Sequence, residues 1–307
     1  MIEFREILAV LLLQAGYNTT VVMLGAAALG AATGTVGVFA MLRRRALVAD
    51  AVAHATLPGV ALGFITAVAL GFSGKSLPFL LAGSALTAVL SALCIQWIVT
   101  HTRLNEDTAI ASVLATFFAL GVVLLTVIQT LKTGGQAGLD VYLLGATAGM
   151  LRSEAITLAA FSFIAAAVVA AFFKELTLVS FDTEYARAHG FPVRMLDLLV
   201  LALVLAVIVI GLRVVGLVLI VALLIIPPAA ARFWTNHASR MTIVSAVIGA
   251  ASAYGGGALS AVRPDTPTGP VIVLLAFAIL LVSVCFGSAR GLVIRALGAQ
   301  KLPGRLS

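Results

Sequence analysis

The chain has 307 residues, of which 62% are hydrophobic and 10% are charged, and its mean hydropathy is +1.18. A soluble domain carries roughly 25% charged residues. The charged side chains here are too few to cover a surface that faces water, so we expect the chain to lie in lipid. The basic residues that give the net charge of +7 lie in short loops between apolar runs. This pattern sets membrane orientation and differs from the basic stripe of a nucleic-acid-binding protein.

The N-terminal segment differs from a secretory signal peptide. Glu3 and Glu6 stand in a region that is purely basic in a signal peptide, and no small-residue cleavage site follows a clear apolar stretch. We therefore expect about residues 1–19 to form an amphipathic helix at the membrane interface.

Nine apolar runs are long enough to cross a bilayer, for which an α-helix needs about 20 residues. They are residues 20–42, 47–71, 77–100, 108–130, 155–174, 195–212, 214–233, 241–262 and 269–287. The sequence predicts an all-α, polytopic membrane helix bundle with about nine transmembrane helices, within a range of eight to ten. The loops are short throughout, so we expect a single membrane domain over residues 1–307 with no soluble catalytic domain.

A tenth run, residues 139–151, is short. It has three possible placements: it crosses the membrane, re-enters it or lies flat. If it does not cross and the N-terminus is outside, thirteen of the 19 basic residues fall on the cytoplasmic side. If it crosses, that majority is reversed. The positive-inside rule therefore favours nine spans, with the tail at residues 289–307 in the cytoplasm.

One acid and one histidine open the second span, in RRRALVADAVAHATLPGVALGF (residues 43–64). Asp50 and His54 are four residues apart, so a helix places them on one face. Ionisable groups within membrane spans are usually functional, and a mixed carboxylate and imidazole pair suits Mn²⁺, Fe²⁺ or Zn²⁺. Pro58 frees the carbonyl of His54 from the helix ladder, and with Gly59 it gives irregular backbone that is tolerated beside a cavity. The alternative is a hydrogen-bonded helix contact without a ligand.

Three other polar or irregular segments have two interpretations each. Glu106 and Asp107 begin the fourth span. Either they complement the helix dipole there, or they mark the point where an ion enters or leaves the pathway. The loop at 173–194 resembles a short amphipathic helix that docks on a soluble partner, or a solvated connection. Pro227 and Pro228 predict a break in the seventh span, which is a hinge or a static kink.

Nucleotide hydrolysis is not expected of this chain. The sequence FSGKS (residues 72–76) contains GKS, but Ala69 stands where a phosphate-binding loop has its first glycine, and no strand precedes it. The chain is therefore predicted to be a non-enzymatic subunit, and any ATPase must be another polypeptide.

Four separated segments resemble the ABC-3 family, the permeases of manganese, zinc and iron ABC importers. They are DAVAHATLPGVALGF (50–64), NEDTAIASVLATFFALGVVLL (105–125), FKELTLVSFDTEYARAHGFPV (173–193) and VGLVLIVALLIIPPAAA (215–231). The resemblance implies a type II ABC importer-like fold in the bacterial inner membrane, and it makes Asp50 and His54 the metal-site positions. It also implies that a region at 175–194 couples to the ATPase. The coupling residues are Phe181, Asp182, Glu184, Tyr185, Arg187 and Gly190.

The family also implies partners: a cytoplasmic ABC ATPase, a second permease copy or paralogue, and a periplasmic or lipid-anchored metal-binding protein. No permanently bound cofactor is expected, only the transported divalent metal. Thr183 departs from the family, which often has proline there, and Ala146 stands where glutamine is common.

The sequence thus predicts the permease subunit of an ATP-driven importer for Mn²⁺, with Zn²⁺ or Fe²⁺ as other cargoes. One alternative is a stand-alone secondary metal/proton transporter, in which Asp197 relays protons. The other is an ABC permease for a siderophore or cobalamin.

Overall fold

The computed structural model describes residues 9–14, 16–74, 76–130, 147–262 and 266–293, without the side chains of residues 148, 213 and 214. Every regular element in this part of the chain is a helix. In chain order they are α1 (Tyr17–Leu42), α2 (Ala46–Ala69), α3 (Leu77–His101), α4 (Glu106–Thr130), a 3₁₀ turn (Thr147–Gly149), α5 (Arg152–Ala171), α6 (Phe173–Phe181), α7 (Thr183–Ala188), α8 (Val193–Ala231), α9 (Ala238–Val262) and α10 (Thr268–Phe286).

The helix lengths and compositions confirm the predicted all-α membrane fold. Eight segments in the described residues are long and apolar enough to cross a bilayer, among them Val193–Leu212 from the first part of α8. The second part, Val215–Ala231, is apolar but shorter, so the described segments match the nine predicted runs. A helix rises about 1.5 Å per residue, so the 24 residues of α2 span more than the roughly 30 Å of a hydrocarbon core.

Local signals explain where α2 ends and α3 begins. Gly71 has a φ of +77°, which suits glycine. Its amide donates to the carbonyl of Val68, and the amide of Phe72 donates to that of Ala67. This paired bonding closes the C-terminus of α2 in a Schellman motif. Pro78 lies in the first turn of α3, where its missing amide hydrogen removes no helix bond.

The contacts divide the chain into two compact units. The first comprises Met1–Arg43, Thr147–Leu196 and Ala222–Ser307, and the second comprises Arg44–Ala146 and Asp197–Val221. Each is described by itself below. The expectation of a single domain over residues 1–307 stays a prediction.

In the first unit, α1 packs against α9 and α5, and α9 against α10. Small residues let α1 and α9 approach to backbone contact: a Cβ on Gly30 would overlap the carbonyl of Gly249, and the reverse is also true. One turn along, the Ser245 hydroxyl donates to the carbonyl of Gly34 at 2.7 Å in a buried position. Small residues and interhelical hydrogen bonds are the usual means of holding helices together in lipid.

In the second unit, α2 lies between α3 and α4 and contacts both. Its approach to α3 is as close as that of α1 to α9, because a Cβ on Gly59 would overlap the carbonyl of Gly83, and one on Gly63 would overlap that of Phe79. The contact moves forward along α2, from Gly59 to Gly63, as it moves backward along α3, from Gly83 to Phe79. The two helices are therefore antiparallel. The packing fixes α2, the helix that carries Asp50 and His54, against a rigid neighbour.

The break in α8 differs from the one predicted. The helix continues through Pro227 and Pro228, and the non-helical dihedrals within it are at Gly216, with φ 77° and ψ 169°. Glycine adopts that φ without steric cost, so the change of direction falls at the start of the second apolar run, Val215–Ala231. Pro228 has no amide hydrogen to donate to the carbonyl of Leu224. That carbonyl instead packs against Gly37 of α1, where a Cβ would overlap it.

Some expectations fall on residues outside the description. The segment 139–151 is described only from residue 147, the interfacial segment 1–19 only from residue 9, and the tail 289–307 only to residue 293. Their predicted placements are therefore not addressed by the structure.

Candidate metal site and coupling segment

A parallel pair of helices, α2 and α4, carries the predicted metal-site residues. At one end, the guanidinium of Arg45 lies 2.9 Å from the carboxylate of Glu106. Further along, the rings of His54 and Phe118 are in contact, and one turn beyond these Gly121 packs against Leu57 and Pro58. The residue numbers rise together along both helices, so the two helices run in the same direction and in a fixed register.

Asp50 and His54 face each other on α2, as their spacing predicts. His54 Nε2 lies 3.5 Å from Asp50 Oδ1, and the two side chains are 25% and 33% exposed, respectively. A strong hydrogen bond between such groups would be about 2.7–2.9 Å long, so the two are near neighbours that are not tightly bonded. Both donor atoms are therefore available to a shared ligand.

The separation of these two atoms suits one divalent ion. With metal–ligand bonds of about 2.1 Å, a 3.5 Å separation gives a ligand–metal–ligand angle of about 113°, near the tetrahedral value. An octahedral angle of about 90° requires a separation of about 3.0 Å, which a small side-chain rotation reaches. The pair can thus chelate a divalent transition metal without a change in the backbone.

No group of three or more histidine, cysteine, aspartate or glutamate side chains with metal-site geometry occurs in the described part of the chain. A two-ligand pair leaves most of the coordination sphere to water or to other molecules. Resident metals are usually held by four or more ligands.

Pro58 and Gly59 lie one turn beyond His54, inside the continuous helix α2. Pro58 is buried against α4 at Gly121, and Gly59 faces α3 at Gly83. The proline leaves the carbonyl of His54 without its helix donor, as the sequence predicts.

Glu106 and Asp107 occupy the first turn of α4. Glu106 is paired with Arg45, and both side chains are partly exposed. This contact and the helix dipole account for the acid at position 106 in structural terms. A role for either acid where ions enter or leave stays a prediction.

The predicted coupling segment is two short helices, α6 and α7, rather than one. Asp182 separates them and caps α7, since its carboxylate accepts a hydrogen bond of 2.8 Å from the amide of Tyr185. Gly190, with φ +80°, ends α7: its amide donates to the carbonyl of Arg187, and that of Phe191 to the carbonyl of Ala186. This is the Schellman ending that glycine favours. Asp182 and Gly190 therefore define the two ends of the helix.

Two aromatic side chains of this segment, Phe181 and Tyr185, are exposed on the protein surface. Phe181 is 65% exposed and Tyr185 is 50% exposed, whereas Ala186 is fully buried. Tyr185 stacks on His189 with ring centroids 3.9 Å apart. Glu184 and Arg187 form an exposed pair 3.6 Å apart. Exposed aromatic groups beside charged ones are typical of a surface that contacts another protein.

Sequence reasoning missed two residues that organise these regions. Phe118 is one of 16 phenylalanines, and its contact with His54 depends on the register of α2 and α4. In the sequence Arg43 is only one of three consecutive arginines, yet its guanidinium donates to the carbonyl of Val179 at 2.7 Å and to the hydroxyl of Thr183 at 3.0 Å. Thr183 in turn donates to the carbonyl of Val179. The sequence signal for this contact is Thr183 itself, which stands where the ABC-3 family often has proline.

The apolar helices define the class of this protein as a helical, multi-pass membrane protein. The profile of the ABC 3 transport family matches residues 17–287, which is most of the chain. The chain therefore belongs to the ABC 3 transport family, as its motifs predict.

Characterised relatives are similar over nearly all of this chain. "Manganese transport system membrane protein MntC" of Bacillus subtilis (strain 168) is 40% identical over 94% of this chain, which spans 66% of that protein, just under two thirds. "Zinc transport system membrane protein TroC" of Treponema pallidum (strain Nichols) is 35% identical over 93% of this chain and 94% of that protein.

A solved structure is similar in fold. A chain of "PsaBC from Streptococcus pneumoniae in complex with Fab" superposes with a TM-score of 0.79, at 30% sequence identity, and the match covers 94% of this chain and 97% of that one. The fold is therefore that of an ABC transporter membrane subunit, as predicted.

Proposed function

We propose that this chain is the membrane-spanning permease subunit of an ATP-driven importer for divalent transition-metal ions, with Mn²⁺ as the main cargo. The observation that carries the proposal is the Asp50–His54 pair, whose 3.5 Å separation suits bidentate binding of one ion. Relatives named for manganese and zinc transport support the cargo class. Zn²⁺ and Fe²⁺ have similar ligand preferences and are the competing cargoes.

The ion passes Asp50 and His54, which replace part of its water shell. Conduction requires binding that is favourable enough for the ion to be captured and weak enough for it to leave. Two ligands from one chain meet that condition. A second copy or a related permease, facing the first, supplies two more ligands and completes a transient four-ligand site. Pro58 and Gly59 shape the pathway beside it.

Energy for transport comes from outside this chain. A cytoplasmic ABC ATPase binds the surface formed by Phe181 and Tyr185 on α6 and α7, and its closure moves that segment. A periplasmic or lipid-anchored binding protein delivers the ion on the opposite side. This arrangement requires a bacterial inner membrane, an outward N-terminus and a cytoplasmic C-terminus. It also makes the chain a non-catalytic subunit with no permanently bound cofactor.

The site is tested by Asp50→Asn and His54→Gln, two substitutions that nearly keep side-chain volume and replace the charged carboxylate and the imidazole with neutral amides. We expect each to reduce uptake of ⁵⁴Mn²⁺ by at least about tenfold in proteoliposomes that contain the whole transporter, as loss of metal-site groups does. His237→Ala is the matched control, because that histidine lies in an exposed turn. Uptake at the normal rate in both site variants would contradict the proposal. A parallel series with Zn²⁺ and Fe²⁺ identifies the cargo.

The coupling surface is tested by the double variant Phe181→Ala with Tyr185→Ala. We expect metal uptake to fall several-fold while the ATPase alone hydrolyses ATP as before, because the variant removes exposed aromatic anchors. Phe163→Ala is the control, since that residue is 76% exposed on α5, a membrane-spanning helix. Normal ATPase binding and normal uptake in the double variant would show that these side chains have no coupling role.

A further inference from the structure

Among the described residues, no acceptor receives a hydrogen bond from Nδ1 of the His54 imidazole, which is buried. The other ring nitrogen, Nε2, is the atom near Asp50. In most histidine metal sites the second ring nitrogen donates to a carboxylate or a carbonyl, and this bond fixes the ring. A different contact must do so here, because the χ2 torsion of histidine is otherwise broad.

Phe118 of α4 makes that contact. The ring centroids of His54 and Phe118 are 5.3 Å apart, and the ring planes are 86° apart. Edge-to-face pairs at this distance are favourable beyond their buried area. A partial rotation of the imidazole about χ2 would lose this geometry, so the pair holds the plane of the ring. Within that plane, the position of Nε2 3.5 Å from Asp50 Oδ1 is the one that the structure shows.

The backbone holds the two rings together. Gly121, one turn after Phe118, lies so close to α2 that a Cβ on it would be 2.8 Å from Leu57 Cβ and 3.0 Å from Pro58 Cδ. Leu57 and Pro58 are likewise one turn after His54, so the close approach of the helices puts Phe118 beside the imidazole. At the other end, the Arg45–Glu106 pair keeps the same register.

We propose that Phe118 is a positioning residue for the metal site, which holds the His54 imidazole in the orientation that ligates a divalent ion. The inference rests on the proposed function of Asp50 and His54. The contact is apolar, so it orients the ring without raising its basicity as a carboxylate partner would. Phe118 therefore favours a site whose histidine is oriented before the ion binds and whose affinity is low enough for the ion to leave.

The test is a Co²⁺ titration of the purified transporter complex, followed by the visible ligand-field bands of the bound ion. Phe118→Leu keeps an apolar side chain and removes the ring, Phe118→Tyr keeps the ring, and Phe117→Leu is the matched control because it lies about 100° away around α4. We expect Phe118→Leu to weaken Co²⁺ binding by about 2- to 12-fold, the range for one aromatic pair, and to alter the bands. Phe118→Tyr should stay within about twofold of the parent protein.

Three results would overturn the inference: unchanged bands and affinity in Phe118→Leu, an equal loss in Phe117→Leu, or an equal loss in Phe118→Tyr. Melting temperatures of the two leucine variants separate a change at the site from a general loss of stability. The double variant Asp50→Asn with His54→Gln distinguishes the two proposals. If it loses the Co²⁺ bands and Phe118→Leu does not, only the positioning role is wrong. If it keeps them, the proposed metal site is wrong as well.

Discussion

Gly34→Ala should destabilise the protein, because α1 and α9 touch at this position. A Cβ on Gly34 would lie 2.5 Å from the carbonyl oxygen of Ser245, 2.8 Å from its carbonyl carbon and 3.1 Å from Ala246 Cα. All three atoms belong to the backbone and cannot rotate away. Ordinary carbon–oxygen contacts are about 3.3–3.6 Å, so the two helices must separate locally by about 1 Å.

The magnitude follows from three effects. Overpacking of this kind costs about 1–3 kcal/mol. The same separation stretches the 2.7 Å hydrogen bond from Ser245 to the Gly34 carbonyl, and such interhelical bonds average about 0.6 kcal/mol. Alanine in place of glycine within a helix returns about 1 kcal/mol. The net loss is therefore about 0.6–2.6 kcal/mol.

Gly257→Ala is the matched control, because Gly257 is also a buried helical glycine of α9. A Cβ there would lie 3.4 Å from Met23 Cγ, an ordinary contact with a flexible side chain. We expect this variant to be as stable as the parent protein or more so, by up to about 1 kcal/mol. The assay is thermal melting in detergent, followed by the folded fraction on size exclusion. Melting of Gly34→Ala at or above the temperature of Gly257→Ala would refute the close-packing argument.

Three further predictions concern single contacts. Ser245→Ala removes one donor only, so it should cost about 0.6 kcal/mol, and a loss as large as that of Gly34→Ala would mean that the hydrogen bond outweighs the packing. Thr183→Val removes one of the two acceptors for Arg43 and should lower the number of metal ions transported per ATP, while Thr183→Ser should not. Equal ratios in the two variants would contradict a role for the hydroxyl. Arg45→Glu should lower stability by up to about 1 kcal/mol and the added change Glu106→Arg should restore it, and failure to restore would show that the pair does not hold the helices in register.

The sequence predicted the helices well because lipid imposes a simple rule on them. A segment that crosses a bilayer must be about 20 residues long, apolar and helical, and composition alone reveals such segments. The Asp50–His54 spacing was equally readable, since four residues make about one helical turn. Both ligands are on one helix, so no knowledge of helix packing was needed to bring them together.

Contacts between helices could not be predicted in the same way. The pairing of His54 with Phe118 depends on the register of two helices, and that register depends on the missing Cβ of Gly121. The same applies to Gly216, which carries the break in α8 that the prolines were expected to carry. Proline weakens a helix wherever it stands, but a change of direction requires a residue that tolerates positive φ.

The path along the chain from the proposed coupling segment to the proposed metal ligands is short, and this has a mechanical consequence. Arg43 bonds to the end of α6 and the start of α7, and Asp50 follows it by only seven residues along the chain. Arg44, between them, has a φ of 57°, a conformation that is sparsely populated for residues other than glycine. A displacement of α7 that pulls on Arg43 therefore reaches α2 through one tight turn.

We expect Arg43→Ala to lower uptake driven by ATP several-fold and to leave Co²⁺ affinity at Asp50 and His54 unchanged. A parallel loss of affinity would show that Arg43 supports the site itself and does not transmit motion to it.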